Sequence, residues 1–178
     1  MNSSSQLRMM VFASLLAALM TAGAYISIPL GPVPIVLQNM FVFLAGLLLG
    51  SRWGLASVGV YLLAGACGLP VFAGGMGGIG RIVGPTGGYL IGYLPAVFII
   101  GYISAKGAVR MGYDIIAMIG GTIVLYACGV TWLKILTGMS WSKTLVVGMY
   151  PFLIGDVLKI AAAAAIARAI RPVIRVTG

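Results

Sequence analysis

The sequence predicts an all-α membrane protein: a six-transmembrane-helix bundle with a glycine-rich extracellular loop between helices 3 and 4. Three observations predict it. Of 178 residues, 61% are apolar and only 7% are charged, whereas soluble domains run near about 25% charged. The basic side chains stand at the ends of apolar runs, where they set the topology of a membrane protein. Between two apolar segments lies FAGGMGGIGRIVGPTGGYLIGY, residues 72–93, which holds nine of the 27 glycines. Each glycine inside a helix costs about 1 kcal/mol relative to alanine, so this density predicts an irregular segment. Irregular backbone at membrane depth is tolerated only where it is buried in protein or lines a cavity. The expected architecture is therefore a set of helices folded around a glycine-lined pocket.

A span takes about 20 apolar residues, so residues 1–178 read as one integral membrane domain. The first span covers about 9–28. Arg8, the apolar run after it and Ala22-Gly23-Ala24 imitate a signal peptide. The run continues through Tyr25 and Ile26, so no cleavage is expected. Pro29, Pro32 and Pro34 each remove a donor and restrict the residue before, which predicts an extended turn. Spans 2 and 3 cover about 35–49 and 53–67, parted at Ser51-Arg52. After the glycine stretch, span 4 covers about 89–104. Lys106, Arg110 and Asp114 form a charged link, with Asp114 placed to cap span 5 at about 115–136. Residues 137–149 read as a semi-polar connection with Trp141 at the interface. Pro151 opens span 6, which runs from about 151 to 169.

With six spans both termini share a side. That side collects Arg8, Arg52, Lys106, Arg110, Arg168, Arg171 and Arg175, against Arg81, Lys134 and Lys143 on the other. The excess places both termini in the cytoplasm and the glycine stretch outside. The same scatter of charge argues against a nucleic-acid partner, although the net charge is +9.

Two acids and no histidine leave little for metal binding or acid–base chemistry. No metal, no catalytic residue and no bound cofactor are expected, and the chain does not read as an enzyme. Cys67 and Cys128 lack CxxC spacing. No G-x-x-x-x-G-K-[ST] phosphate loop is present, so any ATP-driven work falls to another chain. Gly75-x-Gly77-x-x-Gly80 matches a dinucleotide pattern, but no acid follows about 20 residues on, and the match is discarded.

The candidate site rests on the charges and amides at membrane depth. Asp156 and Lys159 lie three apart on one face of span 6. Such groups are costly in a bilayer and are functional candidates by default, the plainer reading being an ion pair that holds helices together. Gln38 and Asn39 lie at a matching level in span 2. Arg81 is a natural partner for a carboxylate, and Tyr89 and Tyr93 share a helix face as possible aromatic walls. Ala13-x-x-x-Ala17, extended by Ala18-x-x-x-Ala22, gives span 1 a small-residue stripe that suits either internal packing or a partner. Gly46, Gly50 and Gly54, and Gly88 with Gly92, suit close helix contact inside the chain.

VPIVLQNM (33–40), GLPVFAGGMGGIGRIVGPTGGYLIGY (68–93) and YPFLIGDVLK (150–159) together resemble the BioY family, the biotin-binding substrate-capture components of energy-coupling-factor transporters. The resemblance covers nearly the whole chain, with GPTGGY and PFL-x-GD-x-x-K the specific parts. It implies a six-helix bundle that binds biotin near the outer face. The ligand contacts it implies are Gln38, the glycine loop with Arg81 and Thr86, Tyr89, Asp156 and Lys159, to which the reading of span 2 adds Asn39, while Met76 stands where some relatives carry a polar residue. It implies that Ala13 and Ala17 dock a transmembrane coupling subunit, and that two ATPase subunits consume the ATP. Membrane lipid is the remaining partner. A different vitamin, or a purely structural membrane subunit, are the alternatives.

Overall fold

The computed structural model describes residues 3–29, 31–107 and 110–176, without the side chains of 173, 175 and 176. The extreme termini, on whose location the topology reading turns, and the side chain of Arg175 lie outside the described residues. The described chain is helical apart from one small two-stranded sheet. Its elements are α1 (Ser3–Tyr25), β1 (Ser27–Ile28), β2 (Ile35–Val36), α2 (Gln38–Ala66), α3 (Ile79–Val83), α4 (Gly87–Lys106), α5 (Met111–Thr137), α6 (Trp141–Gly148) and α7 (Tyr150–Val176). Five helical segments are long and apolar enough to cross a membrane.

The sequence reading separated spans 2 and 3, whereas α2 runs through both. The break lies inside it. Gly50 has φ 74° and ψ −175°, a left-handed conformation that suits glycine. A side-chain carbon added at Gly54 would stand 3.2 Å from the carbonyl oxygen of Ala45. Nine residues of straight helix would separate those positions by about 13.5 Å. The chain therefore turns back at Gly50, and its two arms lie side by side. Gly46 on one arm and Gly54 on the other both face Val97 of α4, so the small-residue spacing serves internal packing.

The link after α1 is tighter than an extended turn. Ser27 pairs with Val36 and Ile28 with Ile35 in antiparallel register. The Leu37 N–H then donates to the carbonyls of Gly23 (3.2 Å) and Ile26 (3.1 Å). These bonds pin the start of α2, and so Gln38, to the end of α1.

The glycine stretch is more regular than its composition suggests. Gly87, Gly88 and Gly92 belong to α4, where a side chain at Gly88 would collide with Trp132 of α5. Close packing of α4 on α5 offsets the poor helix propensity of these glycines, which is why the helix starts before Tyr89. Upstream, Phe72 and Met76 form a bridge around Gly74 and Gly75, both at positive φ. Gly78 N–H donates to Gly65 O at 2.6 Å, and Trp132 Nε1 donates to Gly84 O at 2.9 Å.

Two further readings are corrected. Residues 137–149 are not merely a connection: Ser140 accepts from Lys143 N at 3.5 Å and starts α6, a serine N-cap. Asp114 does not cap α5, whose N-cap is Arg110. Asp114 is instead 3% exposed and paired with Arg171. Arg171 Nη2 also meets Ser104 Oγ at 2.8 Å and Leu47 O at 3.0 Å. The turn at Gly50 leaves Leu47 O near the end of its arm, where carbonyls lack helical partners. This network gathers α2, α4, α5 and α7 at one end of the bundle, opposite the end that holds Gln38.

Candidate ligand site

At the Gln38 end, α2, α4, α5, α7 and the glycine stretch enclose a cavity of about 660 Å³, counting its open mouth. Its apolar wall includes Val33, Val36, Phe72, Leu90, Leu125 and Phe152, and its polar groups come from Gln38, Asn39, Arg81, Thr86, Tyr89, Tyr93 and Tyr126. Six of the sequence candidates, Gln38, Asn39, Arg81, Thr86, Tyr89 and Tyr93, thus share one cavity.

Four of these polar groups are held from behind. Tyr89 Oη donates to Gly148 O at 2.6 Å, and its ring fills the space that a side chain at Gly129 would need. Tyr93 Oη donates to Asn39 Oδ1 at 2.8 Å, which ties α4 to the first arm of α2. Thr86 is the N-cap residue of α4, and its hydroxyl donates to Arg81 O at 3.3 Å. Gln38 differs from these. It is 2% exposed, and among the described residues its Nε2 has no hydrogen-bond partner. A buried donor left unmet costs about 1–3 kcal/mol, so this amide suits an acceptor brought by a ligand.

Arg81 lies in the last turn of α3 and is partly exposed. The chain has only two acidic side chains, and both are taken: Asp114 by Arg171 and Asp156 by Lys159. No side-chain carboxylate is left for Arg81. Its positive charge lines the cavity, without a counter-charge among the described residues.

Asp156 and Lys159 form the expected pair, with Lys159 Nζ 3.0 Å from Asp156 Oδ1, and they are 3% and 7% exposed. They do not line this cavity. The Tyr126 hydroxyl donates to Asp156 Oδ2, and Tyr126 itself lines the cavity. The carboxylate therefore stands behind a tyrosine. The sequence reading passed over Tyr126. The only hint of it was a hydroxyl-bearing ring amid the apolar residues of span 5, with no charge or spacing to mark it.

Ala13 and Ala17 are buried at 4% and 6% exposure. Ser57 Oγ donates to Ala13 O at 2.7 Å, so the second arm of α2 covers this stripe. Ala18 and Ala22 on the same helix are exposed.

A helical membrane bundle with one closed end and a polar-tipped apolar cavity at the other belongs to the class of multi-pass proteins that bind a small molecule. The particular family follows from comparison. A BioY family model matches residues 1–176, and the chain belongs to the BioY family. It is 44% identical over 154 residues to a probable biotin transporter BioY of Pyrococcus horikoshii, covering 86% of this chain and 90% of that one. It is 42% identical over 161 residues to the biotin transporter BioY of Thermotoga maritima, covering 90% and 94%. Its fold matches the crystal structure of the S-component for biotin from an ECF-type ABC transporter. There the TM-score is 0.91 at 31% identity, covering 97% of this chain and 95% of that one.

Proposed function

We propose that this chain captures biotin and takes part in its uptake across the cytoplasmic membrane, as the high-affinity substrate-binding component of an energy-coupling-factor transporter. The observation that carries the reading is the unmatched polarity of the cavity. Biotin offers a carboxylate, a ureido carbonyl, two ureido N–H donors and an apolar fused ring. Arg81 lacks a carboxylate, the buried Gln38 amide lacks an acceptor, and Phe72, Leu125 and Phe152 supply apolar wall. Arg81 takes the valerate carboxylate, and the Gln38 amide takes the ureido carbonyl. Asn39, Thr86 and Tyr89 complete the walls, and Asp156 accepts from a ureido N–H, while Lys159 donates to a biotin oxygen. The loop between α2 and α4 closes over the bound vitamin as a lid.

The finer topology belongs to the same proposal. With the turn at Gly50 counted as a reversal, the chain crosses the membrane six times, both termini are cytoplasmic, and the cavity opens outward. The chain performs no chemistry of its own. A transmembrane coupling subunit and two ATPase subunits supply the energy, and α1 makes the contact through the face that carries the exposed Ala18 and Ala22.

Equilibrium biotin binding to the purified protein tests the core of this reading. Submicromolar binding is expected, and its absence would sink the proposal. Competition by other vitamins would move the assignment to another ligand. The place of Asp156 outside the cavity lining favours a second reading of that pair alone, in which it pins α5 to α7. Asp156→Asn and Lys159→Ala separate the two: ligand contact predicts lost affinity, while pinning predicts lost stability in ligand-free protein at unchanged affinity.

A further inference from the structure

Tyr126 separates two spaces. On one side it lines the ligand cavity. On the other it lines an apolar groove between α5, α6 and α7, with about 1,030 Å³ of space open to the side, whose walls include Ala127, Trp141, Leu145, Val157 and Asp156. The Tyr126 ring packs edge-on against Tyr89, with centroids 6.4 Å apart, and Tyr89 is itself tied to Gly148. The free room for the Tyr126 ring is therefore in the part of the groove lined by Ala127.

We propose that Tyr126 is a placeholder for the ligand. In the ligand-free protein its hydroxyl satisfies Asp156 Oδ2, while Lys159 holds Oδ1. When ligand enters, the ring swings toward the groove and uncovers the carboxylate, and a ligand N–H takes the place of the hydroxyl. The physical need is plain: a buried carboxylate oxygen without a partner is costly, so an empty site requires a substitute that can leave. The inference rests on the biotin reading only in that the ligand must bring N–H donors to Asp156.

The sign of the effect follows. Tyr126→Phe removes a hydrogen bond that only the empty state uses. The empty state is raised relative to the bound one, and binding tightens. Ala127 lines the groove and is exposed, so Ala127→Phe fills the space the ring needs without disturbing the packed interior. Equilibrium binding of radiolabelled biotin to the full chain in detergent is expected to tighten about five- to tenfold in Tyr126→Phe. It is expected to weaken about fivefold or more in Ala127→Phe.

A second readout exploits the composition. Asp114 and Asp156 are the only acidic side chains, so carboxyl-¹³C aspartate labelling gives two side-chain resonances, assigned with Asp156→Asn. Biotin should move the Asp156 resonance and leave that of Asp114 in place. Equal or weaker binding in Tyr126→Phe, unchanged binding in Ala127→Phe, or an unmoved Asp156 resonance would each overturn the placeholder while wild-type biotin binding stands. Failure of the folded wild-type chain to bind biotin would instead overturn the biotin reading and the placeholder with it.

Discussion

Arg171 grips Asp114 with both terminal nitrogens, Nη1 to Oδ2 at 2.6 Å and Nη2 to Oδ1 at 2.9 Å. The pair joins residues 57 positions apart, and Ser104 and Leu47 O close the network. Bidentate arginine–carboxylate contacts are among the strong ones, and here both partners are buried. Removing one partner of such a pair leaves an uncompensated charge, at about 3–5 kcal/mol. Arg171→Ala and Asp114→Ala are therefore each expected to lower the thermal unfolding temperature in detergent sharply. The double substitution Asp114→Leu with Arg171→Met should lose much less, because both charges go. Additive losses would show that the two side chains do not act as a pair.

Arg81 has a different expectation, because both acidic side chains of the chain are paired elsewhere. Arg81→Gln should weaken biotin binding about tenfold or more, the scale of a lost hydrogen bond to a charged group. Biotin amide, which lacks the negative charge, should bind wild type and variant almost alike. Titration of both ligands against both proteins measures this. An equal loss for the amide would place the carboxylate elsewhere.

Gln38 tests the same cavity through a neutral group. Gln38→Leu removes an amide whose Nε2 has no partner in the ligand-free chain. The variant is expected to match or exceed wild-type thermal stability without biotin, and to gain less stability when biotin is added. That combination distinguishes a ligand donor from a structural amide, whose loss would lower stability in both conditions.

Close approach at Gly129 gives a packing prediction. The Tyr89 ring occupies the position of any added side chain there, so Gly129→Ala must displace the ring and strain its bond to Gly148. Overpacking of this kind costs about 1–3 kcal/mol. Gly129→Ala should lower both stability and biotin affinity. A wild-type melting curve would mean that the ring moves freely.

The alanine stripe of α1 is decided by contrasting its two faces. Ala13 packs under Ser57, whereas Ala18 is exposed. Ala13→Trp is expected to lose biotin binding and uptake together, through disrupted packing. Ala18→Trp is expected to lose uptake while binding persists. Uptake assays beside binding assays settle it: retained binding with lost uptake in Ala13→Trp would return the docking role to Ala13 and Ala17.

Much of this protein was legible in one dimension. Membrane character follows from composition alone, because so apolar a chain with so few charges has no other stable solvent. Cavity candidates were legible where polar residues broke long apolar runs, as at Gln38, Asn39, Arg81 and Tyr89. Glycines and charges misled where their role depends on a distant neighbour. Gly87 and Gly88 read as loop because helix propensity is local, yet they are helical because Trp132 packs on them from α5. Arg171 read only as one of the charges that set the topology and Asp114 as a cap, because pairing across the bundle leaves no trace in local spacing.

The amino-acid sequence by itself determined a helical membrane bundle, its family and the end of the molecule at which a ligand site forms. The tertiary structure alone decided that the chain reverses at Gly50, that both acids are already spoken for, and that Tyr126 stands between Asp156 and the cavity. The reason is physical. Burial preference and backbone freedom belong to each residue, whereas a hydrogen bond or an ion pair belongs to two, and only folding chooses the second.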